Sequence, residues 1–395
     1  MKIAFVRSLS MVVGLLVATS FLSVSGCGRP RTERTVTTPV ANSEVSEDEL
    51  RDEIDAILTW TYQNRHLNLR DHAAWQILHG ALTYQRDFLV DHNGQRVSAV
   101  DHILQGGSMT GWVARPGNMI EQTGRVGLQT VLEQGSKTGQ GHTDQWMAIL
   151  AQCELPPDQP IQLDGQTFTM EDMIWQAMWD VPRNVDREYS WTLIGLTSYL
   201  PTDFQWQAQD GQTWSIEKLV QIETEHDVHA SACGGTHRMI GLSMALNRHL
   251  AAGGKLEGVW QAAHDHIEQR KAEAFKYQNP DGSFSSNYMA RPGTTSDMSQ
   301  RIGSSGHVLE FLTLASTDEE LHKPAMQRAV RHVCQLLEQT KSIDLECGGL
   351  YHAAHGLLLY RQRVFGPKNY AADSGQTAAV EDAAKPNSAA ASDNS

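Results

Sequence analysis

The sequence lacks a basic patch. Lysine and arginine number 32 against 46 aspartates and glutamates, a formal charge of −14 at pH 7. With no cation cluster to neutralise phosphates, a nucleic-acid partner is argued against. Cysteine is scarce as well, five in 395 residues, too few for a disulfide scaffold. Alternating strand patterns are missing apart from short Gly-Gln-x-Phe/Trp pieces. The apolar run near the start is too short to span a bilayer comfortably. What is left is a helical chain.

Lys2 and Arg7 precede the apolar stretch SLSMVVGLLVATSFL and then LSVSGCG. A charged start, a short apolar middle and small residues at the cut make a secretory signal. The string Val24-Ser25-Gly26-Cys27 resembles the lipobox of bacterial lipoproteins. That resemblance implies cleavage before Cys27 and acylation of its thiol and new amino group. The product would be a soluble domain lipid-anchored to a membrane of the bacterial cell envelope, facing periplasm or exterior. The expected division is residues 1–26 as signal peptide and 27–47 as acylated cysteine and flexible tether. Residues 48–365 form the folded domain, and 366–395 a disordered tail rich in Ala, Ser and Asp.

Within the domain a phrase repeats: NGQRVSAVDHIL from Asn93, DGQTFTMEDMIW from Asp164 and DGQTWSIEKLVQ from Asp210. Each is a turn dipeptide, a short piece of chain, and a Ser or Thr opening an amphipathic helix. A second set of segments is apolar nearly all round, the mark of helices buried on every side. They begin near Asp71, Gly141, Ser190, Cys233, Ser304 and Cys347. Amphipathic segments alternate with them, beginning near Glu47, Ser98, Thr169, Ser215, Leu256 and Lys323. Six buried helices returning from six half-exposed partners close most simply into two concentric rings. The expected fold is therefore all-α, an (α/α)6 toroid. An open solenoid would want regular repeat lengths and polar caps, and these units are uneven.

In such a double ring the inner helices run parallel, so their N-termini share one rim. That places His72, His142, His237, His307 and His352 at one mouth, with Asp71, Asp144, Glu188, Asp227, Glu310 and Glu346. Helix N-termini favour anions and push a histidine toward its neutral form, which suits a base or a metal ligand. His142, Asp144, His237, His307, Glu310 and His352 are the expected catalytic set, with Asp144 and Glu310 as the acid–base carboxylates. His79 and His249 lie deeper along their helices and are left out. Trp75, Trp146 and Trp191 are read either as core or as an aromatic wall for a ligand.

The phrase YQNPDGSFSSN, with Gln278, Gly282 and Phe284, resembles the QW repeat of squalene–hopene cyclases, with Phe where that family has Trp. The chain is thus similar to the terpenoid cyclase and protein prenyltransferase superfamily, and the resemblance implies the toroid fold. In that family the motif is structural, tying an outer helix to the next turn. The acidic DxDD string of those cyclases is absent. Prenyltransferases hold zinc with Asp-x-Cys and a distant His; here Asp227 lies six residues before Cys233. YHAAHGLLL resembles the YHT-type helix of that family. GHVLEFL, from Gly306, resembles the GHxxE phrase of N-acylglucosamine 2-epimerases, where histidine does acid–base work.

Cys233 and Cys347 stay open between three fates. They form a possible zinc set with His352 or His237, a Cys233–Cys347 disulfide, or plain packing. Three functions follow. The first is binding or processing of a carbohydrate or other envelope ligand at the rim. The second is a non-catalytic scaffold or binding lipoprotein, and the third a zinc-dependent prenyltransferase- or cyclase-like protein. The exported location favours glycans over isoprenoid diphosphates.

Overall fold

A computed structural model describes residues 46–374. The expected signal peptide, Cys27 and the tether to residue 45 lie outside them, as does the tail beyond 374. No helix among the described residues is long and apolar enough to cross a membrane.

Ser46 opens α1 (Glu47–Asn64) by accepting from the Glu49 amide at 3.2 Å, while Glu49 Oε2 accepts from the Ser46 amide, a reciprocal cap. After α2 (Ala74–Tyr84) the chain doubles back through β1 (Leu89–His92) and β2 (Gln95–Ser98) into α3 (Ala99–Leu104). Asn93 and Gly94 at the tip have φ of 54° and 81°, the left-handed turn that suits strand twist. Ser98 caps α3 by accepting from the Asp101 amide at 3.2 Å. An antiparallel pair, β3 (Ala114–Ile120) and β4 (Arg125–Thr130), occupies the Gly-rich insert before α4 (Gln145–Gln152).

The hairpin-and-cap phrase then returns twice. β5 (Pro160–Leu163) and β6 (Gln166–Thr169) lead into α5 (Met170–Asp180), whose cap is Thr169. After α6 (Ser190–Tyr199), β7 (Gln205–Gln207) and β8 (Thr213–Ser215) lead into α7 (Ile216–Glu225), and Ser215 accepts from the Lys218 amide at 3.0 Å. There follow α8 (Thr236–Ala251), α9 (Val259–Lys276), α10 (Met298–Ala315), α11 (Asp318–Leu321), α12 (Pro324–Gln339), α13 (Cys347–Phe365) and α14 (Tyr370–Ser374). The protein is mostly helical. Each Gly-Gln phrase is the second strand of a two-stranded hairpin, so there is more strand than the sequence pattern suggested.

Burial separates two kinds of helix. α2, α4, α6, α8, α10 and α13 bury most of their lengths. They also pack in succession: α2 on α4, α4 on α6, α6 on α8, α8 on α10, α10 on α13, and α13 on α2 again. Across that last contact Thr83 Oγ1 donates to the Tyr351 carbonyl at 2.9 Å. The half-exposed helices bridge these neighbours, α5 touching α4 and α6, α7 touching α6 and α8, and α12 touching α10 and α13.

Packing continues past residue 365. Tyr370 is buried and donates its hydroxyl to Asp55 Oδ1 at 3.1 Å, and Asp55 also pairs with Arg361 at 2.8 Å. A core tyrosine and a bridging carboxylate carry the packed chain into α14.

α10 and α13 approach closely at Gly306 and Ala353. A Cβ on Gly306 would sit 2.6–2.8 Å from the Cβ, Cα and amide nitrogen of Ala353. Backbone cannot retreat as a flexible side chain can. Gly306→Ala is therefore expected to lower stability by about 1–3 kcal/mol through overpacking, read as a drop in Tm against wild type. An unchanged Tm would show that the two helices have slack.

Candidate functional site

His142 precedes α4, His237 is in the first turn of α8, His307 is on α10 and His352 on α13. Because these elements belong to one succession of packed helices, four histidines scattered in sequence become one cluster. Ring centroids of His307 and His352 lie 4.0 Å apart, and His237 stands 4.9 Å from His142, 5.3 Å from His307 and 5.3 Å from His352. Trp191 packs 5.2 Å from His237. His237, His307 and His352 are all buried; His142 and Glu188 keep about a fifth of their side chains exposed, 19% and 23%. The cluster meets solvent on that edge.

A second network fixes the rings. Nδ1 of His352 donates to Glu310 Oε2 at 2.6 Å, and Nδ1 of His355 donates to Oε1 at 2.7 Å. His307 donates Nδ1–H to the Gly303 carbonyl at 2.7 Å, and His142 Nδ1 lies 3.1 Å from Glu188 Oε2. Each bond fixes a tautomer and leaves Nε2 as the ring's other nitrogen. His237 differs. Neither of its ring nitrogens has a partner.

These surroundings set the protonation states. Burial, followed by the field of the other imidazoles, pulls His352 down to about 4 and His237 well below its ordinary value. For His307 burial acts downward too, but the adjacent Cys233 thiol and Glu310 carry it up to about 9. Burial likewise opposes ionisation of Glu310, yet the two imidazole N–H groups hold it well below the usual carboxylate range.

Among the predicted residues the structure brings together His142, His237, His307, Glu310 and His352. Glu310 serves His352 and His355 across the α10–α13 contact, and not His307 one turn before it. His72 stands elsewhere, in a cleft of about 530 Å³ with Gln76, Glu346 and Cys347. His79, left out of the prediction, joins the cluster, its ring 5.4 Å from His352 and its Nδ1 on the Trp75 carbonyl. Of the three tryptophans, Trp146 is core, Trp191 lies against the imidazoles and Trp75 sits 4.5 Å from His79 with its ring tilted by 49°.

The cysteine expectations change most. Cys153, Cys233, Cys334 and Cys347 are free thiols, so the Cys233–Cys347 disulfide is not formed. The set Cys233, Cys347 and His352 does not close up among the described residues. Cys233, His237 and His307 do, with donor atoms within 4.8 Å of one another, and so do His142, Glu188 and His237. Cys347 is instead the first residue of α13 and lines the cleft with His72.

Asp144 takes part in a different way. It sits at φ 61° at the start of α4, accepts from Thr192 Oγ1 at 2.6 Å, and lines a cleft of about 280 Å³. Burial is the main influence on it; the Thr192 bond opposes this, Asp180 adds to it, and the carboxyl ends at about 6. Asp180, at the end of α5, lines the same cleft and accepts from Gln129 at 2.6 Å and Gln176 at 2.7 Å. Its place at the end of an amphipathic helix gave no signal in the sequence. No family model, curated protein or solved structure matches the chain.

Proposed function

We propose that this is an (α/α)6 toroid, tethered to a cell-envelope membrane through acylated Cys27, that binds and processes a carbohydrate of the envelope. The toroid is supported by the succession of buried helices that ends where it begins, with half-exposed helices bridging them. The carrying observation for the activity is that Asp144 and Asp180 line one cleft. A carboxyl at about 6 keeps a proton close to neutrality and can donate it. A second carboxylate beside it is what an oxocarbenium-like transition state requires. Polar side chains, Thr130, Thr143 and Arg183 among them, line the same walls, which suits sugar hydroxyls.

The histidine cluster adjoins this cleft, since His142 is two residues from Asp144 and its imidazole faces His237. The test is a panel of envelope oligosaccharides assayed for binding by calorimetry and for cleavage by reducing-end release. Asp144→Asn should keep affinity and lose about 100-fold or more in kcat. Absence of both binding and cleavage across the panel would sink the reading, while binding without cleavage would leave a carbohydrate-binding lipoprotein.

A further inference from the structure

We propose that Cys233, His237 and His307 form a site for a zinc-class divalent metal ion, with His142 and Glu188 beside it. Three independent features meet there. First, His237 is 4% exposed, and both of its ring nitrogens are without a partner. A buried polar group left unmade costs about 1–3 kcal/mol, and native proteins rarely leave one so. A metal ion would take the imidazole lone pair.

Second, His307 is already oriented as a ligand. Its Nδ1–H is spent on the Gly303 carbonyl at 2.7 Å, the outer bond that fixes a metal-binding imidazole and makes its other nitrogen the donor. Third, the backbone ahead of α8 is bent to present the thiol. Cys233, Gly234 and Gly235 have φ of 50°, 62° and 77°, three left-handed residues in a row. A Cβ on Gly234 would fall 2.3 Å from the Tyr288 ring, and one on Gly235 2.3 Å from Val228. Only glycines fit beside a cysteine that itself holds a conformation costing about 1 kcal/mol or more.

The donors then choose the metal. One thiolate and two imidazoles suit zinc and its neighbours, not calcium or magnesium. With Zn–S near 2.3 Å and Zn–N near 2.0 Å, tetrahedral ligands stand about 3.4 Å apart. Donor atoms within 4.8 Å of one another need only a modest contraction. Three protein ligands leave a fourth position for water or substrate. His142 and Glu188 close up with the same His237, where they can accept a proton from a metal-bound water. This site stands whether or not the neighbouring cleft takes a carbohydrate.

The full chain, purified and stripped with chelator, is titrated with zinc against a chromophoric competitor and with cobalt followed by absorption. Stoichiometric zinc and a thiolate-to-cobalt charge-transfer band are expected. Cys233→Ser and His307→Ala should weaken zinc by about 100-fold or more and abolish the band, whereas Cys347→Ser should retain both. Cys233 is only half-buried, so Cys233→Ser is the variant to check for folding by circular dichroism. Sub-stoichiometric zinc in folded wild type, or wild-type affinity in folded Cys233→Ser, overturns the site. Sub-stoichiometric zinc in a protein that still cleaves oligosaccharide would overturn the metal site and leave the carbohydrate role standing.

Discussion

Glu310→Ala is expected to cost the folded domain about 3–5 kcal/mol, a large part of the about 5–15 kcal/mol that holds a domain together. The carboxylate is 2% exposed and accepts one N–H from His352 and one from His355. Its removal leaves two buried donors facing a void, each costing about 1–3 kcal/mol. Glu310→Gln should be milder, about 1–2 kcal/mol. Its carbonyl still accepts from one ring, but its amide confronts the other N–H donor to donor, and that imidazole must change tautomer. Urea midpoints at constant m give both numbers. A loss below about 1 kcal/mol for Glu310→Ala would mean that the two histidines find other acceptors and that Glu310 does not hold the cluster in place.

That variant also marks where sequence reading stopped. Glu310 and His307 share a helical face three residues apart, yet Glu310 makes its hydrogen bonds elsewhere. The real partners lie on α13, reached because Gly306 and Ala353 let two helices touch. Nothing in a linear pattern states which neighbours come within a carboxylate's reach. By contrast, the alternation of apolar and amphipathic helices was legible, because burial on every side strips polar residues from a segment. The caps were legible because Ser98, Thr169 and Ser215 must satisfy bare amides.

His79 was missed for a reason of register. Counting from Asp71 placed it too deep, but α2 starts at Ala74, which makes His79 the sixth residue of its helix, as His352 is of α13. Cys-Gly-Gly occurs twice in the sequence with opposite outcomes. At Cys347 it opens a regular helix capped by Glu346, whereas at Cys233 it turns left-handed and carries the thiol to His237 and His307. Tertiary contacts, Tyr288 over Gly234 and Val228 over Gly235, decide between the two.

The second large effect is on acid stability, and its direction follows from protons. An unfolded histidine titrates near 6.5, while in the folded domain burial and neighbouring imidazoles depress His79 to about 3, His352 to about 4 and His237 further. Below 6.5 the unfolded chain therefore binds protons that the folded chain refuses, so stability falls as pH falls toward those lower values. Two carboxyls act the other way. Burial raises Asp144 to about 6 and Glu223, ion-paired with Arg238, to about 7. Their protonated forms stabilise the fold at low pH, and that contribution is lost as pH rises through the raised values. His307, held at about 9, likewise contributes below 6.5 and loses its share only on the alkaline side. Four depressed imidazoles, His79, His237, His352 and His266 at about 4, against Asp144, Glu223 and His307 give a net loss of stability between pH 7 and pH 4.5. Melting of chelator-treated protein across that range should show Tm falling steadily. His352→Gln removes one titrating ring, so its profile should be shallower than wild type even though its Tm at pH 7 is lower. A flat or rising Tm toward pH 4.5 would mean that His79, His237 and His352 take up protons while folded, and their neutral state described above would be wrong.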